Sequence, residues 1–295
     1  AYACDLFADL AAALGGHDGD VAKYRAAAVA LRAAINSQLW DEGVGAYVDG
    51  LTTSHTAWHS SVYAVAFKVP TNASMAAAAA RYIANRTLGD PATCQPGNVY
   101  PAEWALEGFY TNNSDHGNTA YAYLTCTGTN SWLNQLAQGA TMTMEAWTPA
   151  EKPNLTWSHS WAASPAEAIV RWLFGVRPTA PGFTSIIVQP QPGPVLSGAA
   201  AVPSLRGPIA VAFTQTLRAA AAGPAQAATM RVAVTVPGAT TALVCVPAST
   251  AASDGTVLVD GVAVAAQMMD DSACAAVSAG QHVVVGPGTA ATVVA

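Results

Sequence analysis

The stretch LFGVRPTAPGF, residues 173–183, separates two periodicities. On its N-terminal side apolar residues recur every three or four positions, as on one face of a helix. Leu6, Leu10 and Leu14 share a face of a short first helix, and Tyr24, Leu31, Ile35 and Leu39 share one between Asp20 and Trp40. Further helices are predicted over 56–67, 74–87, 101–111, 115–126, 130–138 and 164–174. Between the second and third lies WDEGVGAYVDG (40–50), whose glycines at 43, 45 and 50 break the helical pattern. All eight tryptophans precede residue 173. On the C-terminal side the period falls to two. TSIIVQP (184–190), GPIAVAFTQ (207–215), MRVAVTVPG (230–238), TALVCVP (241–247), GTVLVDGVAV (255–264) and HVVVGPG (282–288) are short, β-branched and bounded by Gly or Pro. Such segments build a small antiparallel sandwich. Arg218–Ala228 reads as an Ala-rich surface excursion. The expected fold is therefore α+β in two domains, helical over 1–176 and a β-sandwich over 177–295.

The bulk of the chain narrows its partners. Of the 295 residues 52% are hydrophobic and 10% charged, a composition that supports packed cores. A formal net charge of -6 offers no basic surface for phosphates, so no nucleic-acid partner is expected. No apolar run is long enough to span a bilayer, and no membrane association is expected. The amino terminus lacks the layout of a signal peptide. It opens directly in a helical pattern, as a piece of a longer protein would. The sequons at Asn72, Asn85, Asn112 and Asn154 leave the compartment open, with secretion one reading of them. The five cysteines show no CxxC spacing. They read as ordinary buried thiols, with Cys94–Cys126 the one pairing considered, and no metal site is expected.

Chemistry concentrates in TMTMEAWTPAEKPNLTWSHSWAASPAEA, residues 141–168. Glu145 stands in an otherwise apolar run beside Trp147, and His159 and Trp161 follow. Sugars present hydroxyls to carboxylate and imidazole groups and C–H patches to indole faces, so this set suits a carbohydrate. A carboxylate among Met and Trp side chains is expected to have a raised pKa and to serve as a general base. The alternative is structural: Glu145 caps a helix and the tryptophans fill a core. Glu103, Trp104 and Glu107 read as a solvent-facing acid pair around a packing Trp.

This segment resembles the glycoside hydrolase family 78 α-L-rhamnosidases. So do SHTAWHSSVYAVAFKVP (54–70), VYPAEWALEGFY (99–110), TGTNSWLNQLAQGATMTMEAW (127–147), WSHSWAASPAEAI (157–169), LFGVRPTAPGF (173–183) and PSLRGPIAVAF (203–213), in the family's order. The resemblance implies part of an (α/α)6 six-hairpin barrel followed by a C-terminal β-sandwich. It implies inverting hydrolysis of terminal α-L-rhamnosides, with a rhamnose-containing oligosaccharide or glycoside as partner and no cofactor. On the matching motif Glu145 falls on the general base and His159 on a rhamnose-contacting histidine, with Trp147 and Trp161 among the pocket aromatics. His59 falls on a recurring histidine and is read as structural.

Inversion needs a second carboxyl group as acid, about 6.5–9.5 Å from the base. The family's acid lies in an Asp- and Trp-containing segment upstream of the base, and no such segment is present. Asp41, Glu42 and Asp49 lie in a loop that could border a cleft, but none matches the motif of the acid. Twelve barrel helices also need about twice the helical length found here. The expectation is an incomplete chain that does not hydrolyse natural rhamnosides unaided. The competing expectations are a carbohydrate-binding protein without turnover and another (α/α)6-barrel glycosidase or lyase.

Overall fold

The computed structural model describes residues 1–112, 115–218, 226–252 and 254–286. Two compact units account for them. One comprises Ala1–Asn113 and Tyr123–Ala162, and the other Ser114–Ala122 and Ala163–Ala295.

The first unit is helical. It holds α1 (Tyr2–Leu14), α2 (Asp18–Leu39), α3 (Trp58–Ala66), α4 (Ala73–Leu88) and α5 (Ala102–Asn112). Next come α6 (Asn118–Leu124), divided between the units at Tyr123, and α7 (Trp132–Ala137). The glycines of the 40–50 loop shape a small hairpin, β1 (Trp40–Asp41) against β2 (Ala46–Tyr47). Helix starts follow the capping rule: Asn72 accepts from Met75 N at 2.9 Å, and Ser131 from Asn134 N at 3.1 Å. Trp58 is fully buried with Val62, Val65, Ala79, Ile83, Leu106 and Phe109, and its indole N–H donates to Thr87 Oγ1 at 2.9 Å. α1 buries Ala8 and Ala11 and leaves Leu6, Leu10 and Leu14 51, 57 and 69% exposed. Small side chains allow close approach to α2, where Ala28 is buried, and the Leu stripe lies away from that seam. Arg25 and Arg32 of α2 bind Asp5 of α1 across the same seam.

Besides its part of α6, the second unit holds α8 (Ser164–Ala168), which runs into a wider π-type turn at Ile169–Leu173. Strands follow: β3 (Val176–Pro178), β4 (Ser185–Val188), β5 (Ser197–Val202), β6 (Ile209–Arg218), β7 (Gln226–Val236) and β8 (Thr241–Pro247). They continue with β9 (Thr256–Val259), β10 (Val262–Ala265), β11 (Gln267–Met269), β12 (Ser272–Val277) and β13 (Gly280–Gly286). One sheet has the order β10-β9-β13-β7-β6-β5 and the other β11-β12-β8-β4-β3. Alternation decides which side chains are interior: Ile209, Val211 and Phe213 of β6, and Val232, Val234 and Val236 of β7, are buried in one cluster with Ile186, Val188, Val244 and Val284. Every pairing is antiparallel except β4 with β8, which run parallel from Ser185↔Thr241 to Val188↔Val244. Gly175 has φ 74°, and a Cβ there would lie 2.0 Å from Gln189 O, so only glycine lets the chain pass from the helical turn into β3. The Ala-rich excursion read at 218–228 falls largely on 219–225, outside the described residues.

The expectation of free thiols is corrected. Cys94 is bonded to Cys126 and Cys245 to Cys274, while Cys4 is free. Cys245 and Cys274 lie directly opposite on β8 and β12, with Cα atoms 4.0 Å apart. Strand register creates that proximity, and no local spacing in the sequence reports it.

Candidate active site

Glu145 and His159 are brought together by a returning loop. Glu145 N donates to Thr156 O at 2.9 Å and His159 N to Thr143 O at 2.8 Å, so 143–145 and 156–159 run side by side. Thr143 Oγ1 closes this pairing on His159 O at 2.7 Å. Behind it Gln135 of α7, itself buried, accepts from Met144 N at 3.1 Å and donates to Ala146 O at 3.2 Å. A buried amide so satisfied fixes the backbone on both sides of Glu145.

The carboxylate is held by several donors. Oε1 is ion-paired with Lys152 Nζ and lies 3.5 Å from the Tyr100 hydroxyl. Oε2 accepts from Thr156 N at 3.0 Å. The expected raised pKa is corrected: the Lys152 ammonium first, and then the Thr156 N–H, hold Glu145 down to about 2. Both favour the charged form, and the side chain, 14% exposed, is too little desolvated to reverse them.

Tyr100, just before α5, joins the set. Its ring lies 4.5 Å from that of Trp161, edge to face, and 5.8 Å from that of His159, while its hydroxyl reaches Glu145. His159 and Trp161 meet edge to face at 5.3 Å. Trp161 is 60% exposed and presents an open indole face. Carboxylate, imidazole and exposed indole thus gather around one tyrosine. Trp147 does not join them. It is fully buried, donates its indole N–H to Gly97 O at 3.0 Å and packs on Trp132 at 5.3 Å. A ring enclosed in this way supports the loop from behind and offers no face to a sugar. His59 packs on the far side of the same glycine: a Cβ on Gly97 would lie 2.9 Å from its Nε2 and 2.8 Å from Trp58. Burial pushes the His59 imidazole down, which suits a packing role.

The loop carboxylates have local duties. Glu42 accepts from Trp40 Nε1 at 2.6 Å, and Asp41 Oδ1 caps Gly43 N and Val44 N. Asp49 binds His55, Ala57 N and Ser60 Oγ, and these donors, His55 foremost, hold it at about 2. Glu103 is exposed and Glu107 half-buried, so only one of the two acids faces solvent as read from the sequence, and Trp104 packs edge to face on Phe67 at 4.8 Å. The sequence reading overlooked Tyr100, Lys152 and Gln135. Lys152 left one usable signal, since it is one of three lysines and lies seven residues after Glu145 in the same loop. Among the described residues no cluster of His, Cys, Asp and Glu could hold a metal ion.

Known proteins bear on this arrangement. The family model for the bacterial α-L-rhamnosidase 6-hairpin glycosidase domain matches residues 1–175. The chain belongs to this rhamnosidase family. The model for the family's C-terminal domain matches residues 175–257. The helical unit followed by the sheet unit is the family's arrangement of six-hairpin glycosidase domain and C-terminal β-sandwich. No curated protein sequence matches the chain. An α-L-rhamnosidase from Dictyoglomus thermophilum has a similar fold, with TM-score 0.76 and 16% identity over 96% of this chain and 30% of that one. A Streptomyces avermitilis α-L-rhamnosidase solved with L-rhamnose gives TM-score 0.75 and 21% identity over 96% and 26%. The family 78 rhamnosidase of Bacillus sp. GL1 gives 0.55 and 24% over 72% and 23%. This rhamnosidase-family chain therefore spans less than a third of the length of these neighbours.

Proposed function

We propose that the chain is the C-terminal part of an inverting α-L-rhamnosidase, with 1–176 contributing to the catalytic barrel and 177–295 forming the C-terminal β-sandwich domain. The gathering of Glu145, His159 and the open face of Trp161 around Tyr100 carries this reading. Family membership supports it, and one neighbour of the same fold was solved with L-rhamnose. In this reading Glu145 takes a proton from water as the water oxygen attacks the anomeric carbon. The glycosidic C–O bond breaks, and the departing oxygen takes a proton from an acid outside residues 1–295. His159 hydrogen-bonds the sugar hydroxyls, and Trp161 covers a C–H face. Trp147 keeps the loop in place.

The pairing of Glu145 with Lys152 favours a second reading, a rhamnose-binding chain without turnover, because a carboxylate so stabilised is a weak base. Hydrolysis of a natural and an aryl rhamnoside separates the two, with NMR of the first anomer released reporting inversion and rejecting an unsaturated lyase product. The chain should bind L-rhamnose and turn over the natural glycoside only when the acid-bearing segment is supplied. In that complete enzyme Glu145→Gln should slow turnover by at least about 10²-fold. Binding without turnover in the complete enzyme would establish the second reading, and unchanged turnover in the variant would remove Glu145 from the mechanism.

A further inference from the structure

The geometry assigns to Lys152 a positioning role: it clamps Glu145 Oε1, and with the Thr156 N–H on Oε2 it fixes the plane of the carboxylate and leaves Oε2 as the oxygen that meets the attacking water. This assignment rests on the reading of Glu145 as the general base. A carboxylate oxygen has two lone pairs. On Oε1 both directions are addressed, by Lys152 Nζ and by the Tyr100 hydroxyl. On Oε2 the described residues supply one donor, Thr156 N, so one acceptor direction stays open. A base works through the lone pair that points at its proton, and positioning is worth orders of magnitude in rate.

The clamp is local and its arms are short. Lys152 and Thr156 belong to one returning loop, in which Leu155 N closes on Lys152 O at 3.0 Å. The Lys152 side chain is 41% exposed and that of Glu145 14%, so the Lys side of the pair is the more solvent-exposed. The charged and titratable groups facing Glu145 are Lys152 and His159 from its own loop and Tyr100 from the segment before α5. The Lys152 ammonium contributes most to holding the carboxylate ionised, with the Thr156 N–H next and the His159 charge last.

Such a clamp has a consequence that packing alone would not produce. With Lys152 in place, Glu145 stays ionised well below the ordinary carboxylate range. Without it, the midpoint of the base moves up toward the ordinary carboxylate range, while the Thr156 N–H still holds it partly down. One pH unit below that midpoint about nine-tenths of the base is protonated, a roughly tenfold loss of working enzyme.

The test compares the chain with its Lys152→Met and Lys152→Arg variants. Carboxyl 13C labelling of the six glutamates, with Glu145 identified by the resonance missing from Glu145→Gln, follows its titration directly. The wild-type resonance should show no titration above pH about 3, the Lys152→Met midpoint should move clearly upward, and Lys152→Arg should stay low because the charge remains. In the complete enzyme, one pH unit below the midpoint measured for Lys152→Met, its kcat/KM should fall roughly tenfold below its own plateau, a larger loss than the wild type or Lys152→Arg shows there. A Glu145 midpoint that does not move in Lys152→Met, with near-UV circular dichroism unchanged, overturns the assignment. If Lys152→Met does not fold, a wild-type or Lys152→Arg midpoint near the ordinary 4.5 overturns it equally. A complete enzyme with no rhamnosidase activity would sink the functional reading instead, and the titration would still decide whether Lys152 holds Glu145.

Discussion

At Trp147 and Trp161 two identical side chains, fourteen residues apart in one loop, have been put to opposite uses. Trp147 is fully buried with its N–H satisfied by Gly97 O, whereas Trp161 is 60% exposed against Tyr100. Their substitutions should therefore separate stability from binding. Trp147→Ala empties a packed site, so urea unfolding should show a loss of about 3–5 kcal/mol. Trp161→Ala removes an exposed ring and should cost about 1 kcal/mol or less. The same change should weaken L-rhamnose binding about tenfold, on the scale of a lost aromatic contact. If calorimetry shows equal rhamnose affinity in wild type and Trp161→Ala, Trp161 is not part of the sugar surface. Which Trp would be enclosed was not legible in E-x-W and S-H-x-W, because burial depends on Gly97, fifty residues away from Trp147. The sign of the Glu145 shift was hidden for a similar reason. Apolar neighbours in the chain suggested desolvation, but the side chain folds back onto Lys152 and a backbone N–H.

At the scale of elements, the loops show what holds them. The 49–60 segment is organised on one carboxylate: Asp49 receives His55, the Ala57 N–H and the Ser60 hydroxyl. Its folded pKa of about 2 lies below the ordinary 3.8 of an unfolded Asp. The stabilisation is therefore complete above pH 4 and is lost as pH falls from about 4 toward 2. Asp49→Asn should remove that part of the acid dependence. Thermal melts at pH 2–5 would show it as a shallower fall in Tm, and parallel curves would refute it. The 94–98 segment is held covalently. Cys94–Cys126 anchors it, and Gln95 spans its own turn to Gly97 O and Asn98 O. Replacing both cysteines by Ala should lower stability by about 3–4 kcal/mol, the scale for a closed loop of this length. Identical denaturation midpoints would show that the bridge adds nothing. Periodicity located the helices and the strands in six segments because alternation and 3.6-residue spacing are local properties, but it passed over β3, β5, β11 and β12. It does not say which face is buried, and in α1 that is the Ala seam, with the Leu stripe exposed. Cys94–Cys126 was the one pairing considered, whereas Cys245–Cys274 escaped the sequence reading, since these two become neighbours only through the register of β8 and β12.

For the whole molecule, the switch of period at 173–183 was the most informative sequence feature, because a change from helical to strand spacing separates kinds of secondary structure without any long-range information. The parallel pairing of β4 with β8 has a consequence for how the protein is made. β4 ends at Val188, and its partner β8 begins only at Thr241. A ribosome adding about 5–20 residues each second needs several seconds to bring the second strand out. During that interval β4 has a neighbour on one side, β3, and the row of N–H and C=O groups on its other side stays open. β12 and β13, which occupy interior positions in the two sheets, arrive later still. The sandwich is thus a late-closing structure during synthesis, and its inner strand β4 is for those seconds an edge strand that invites pairing with other nascent chains.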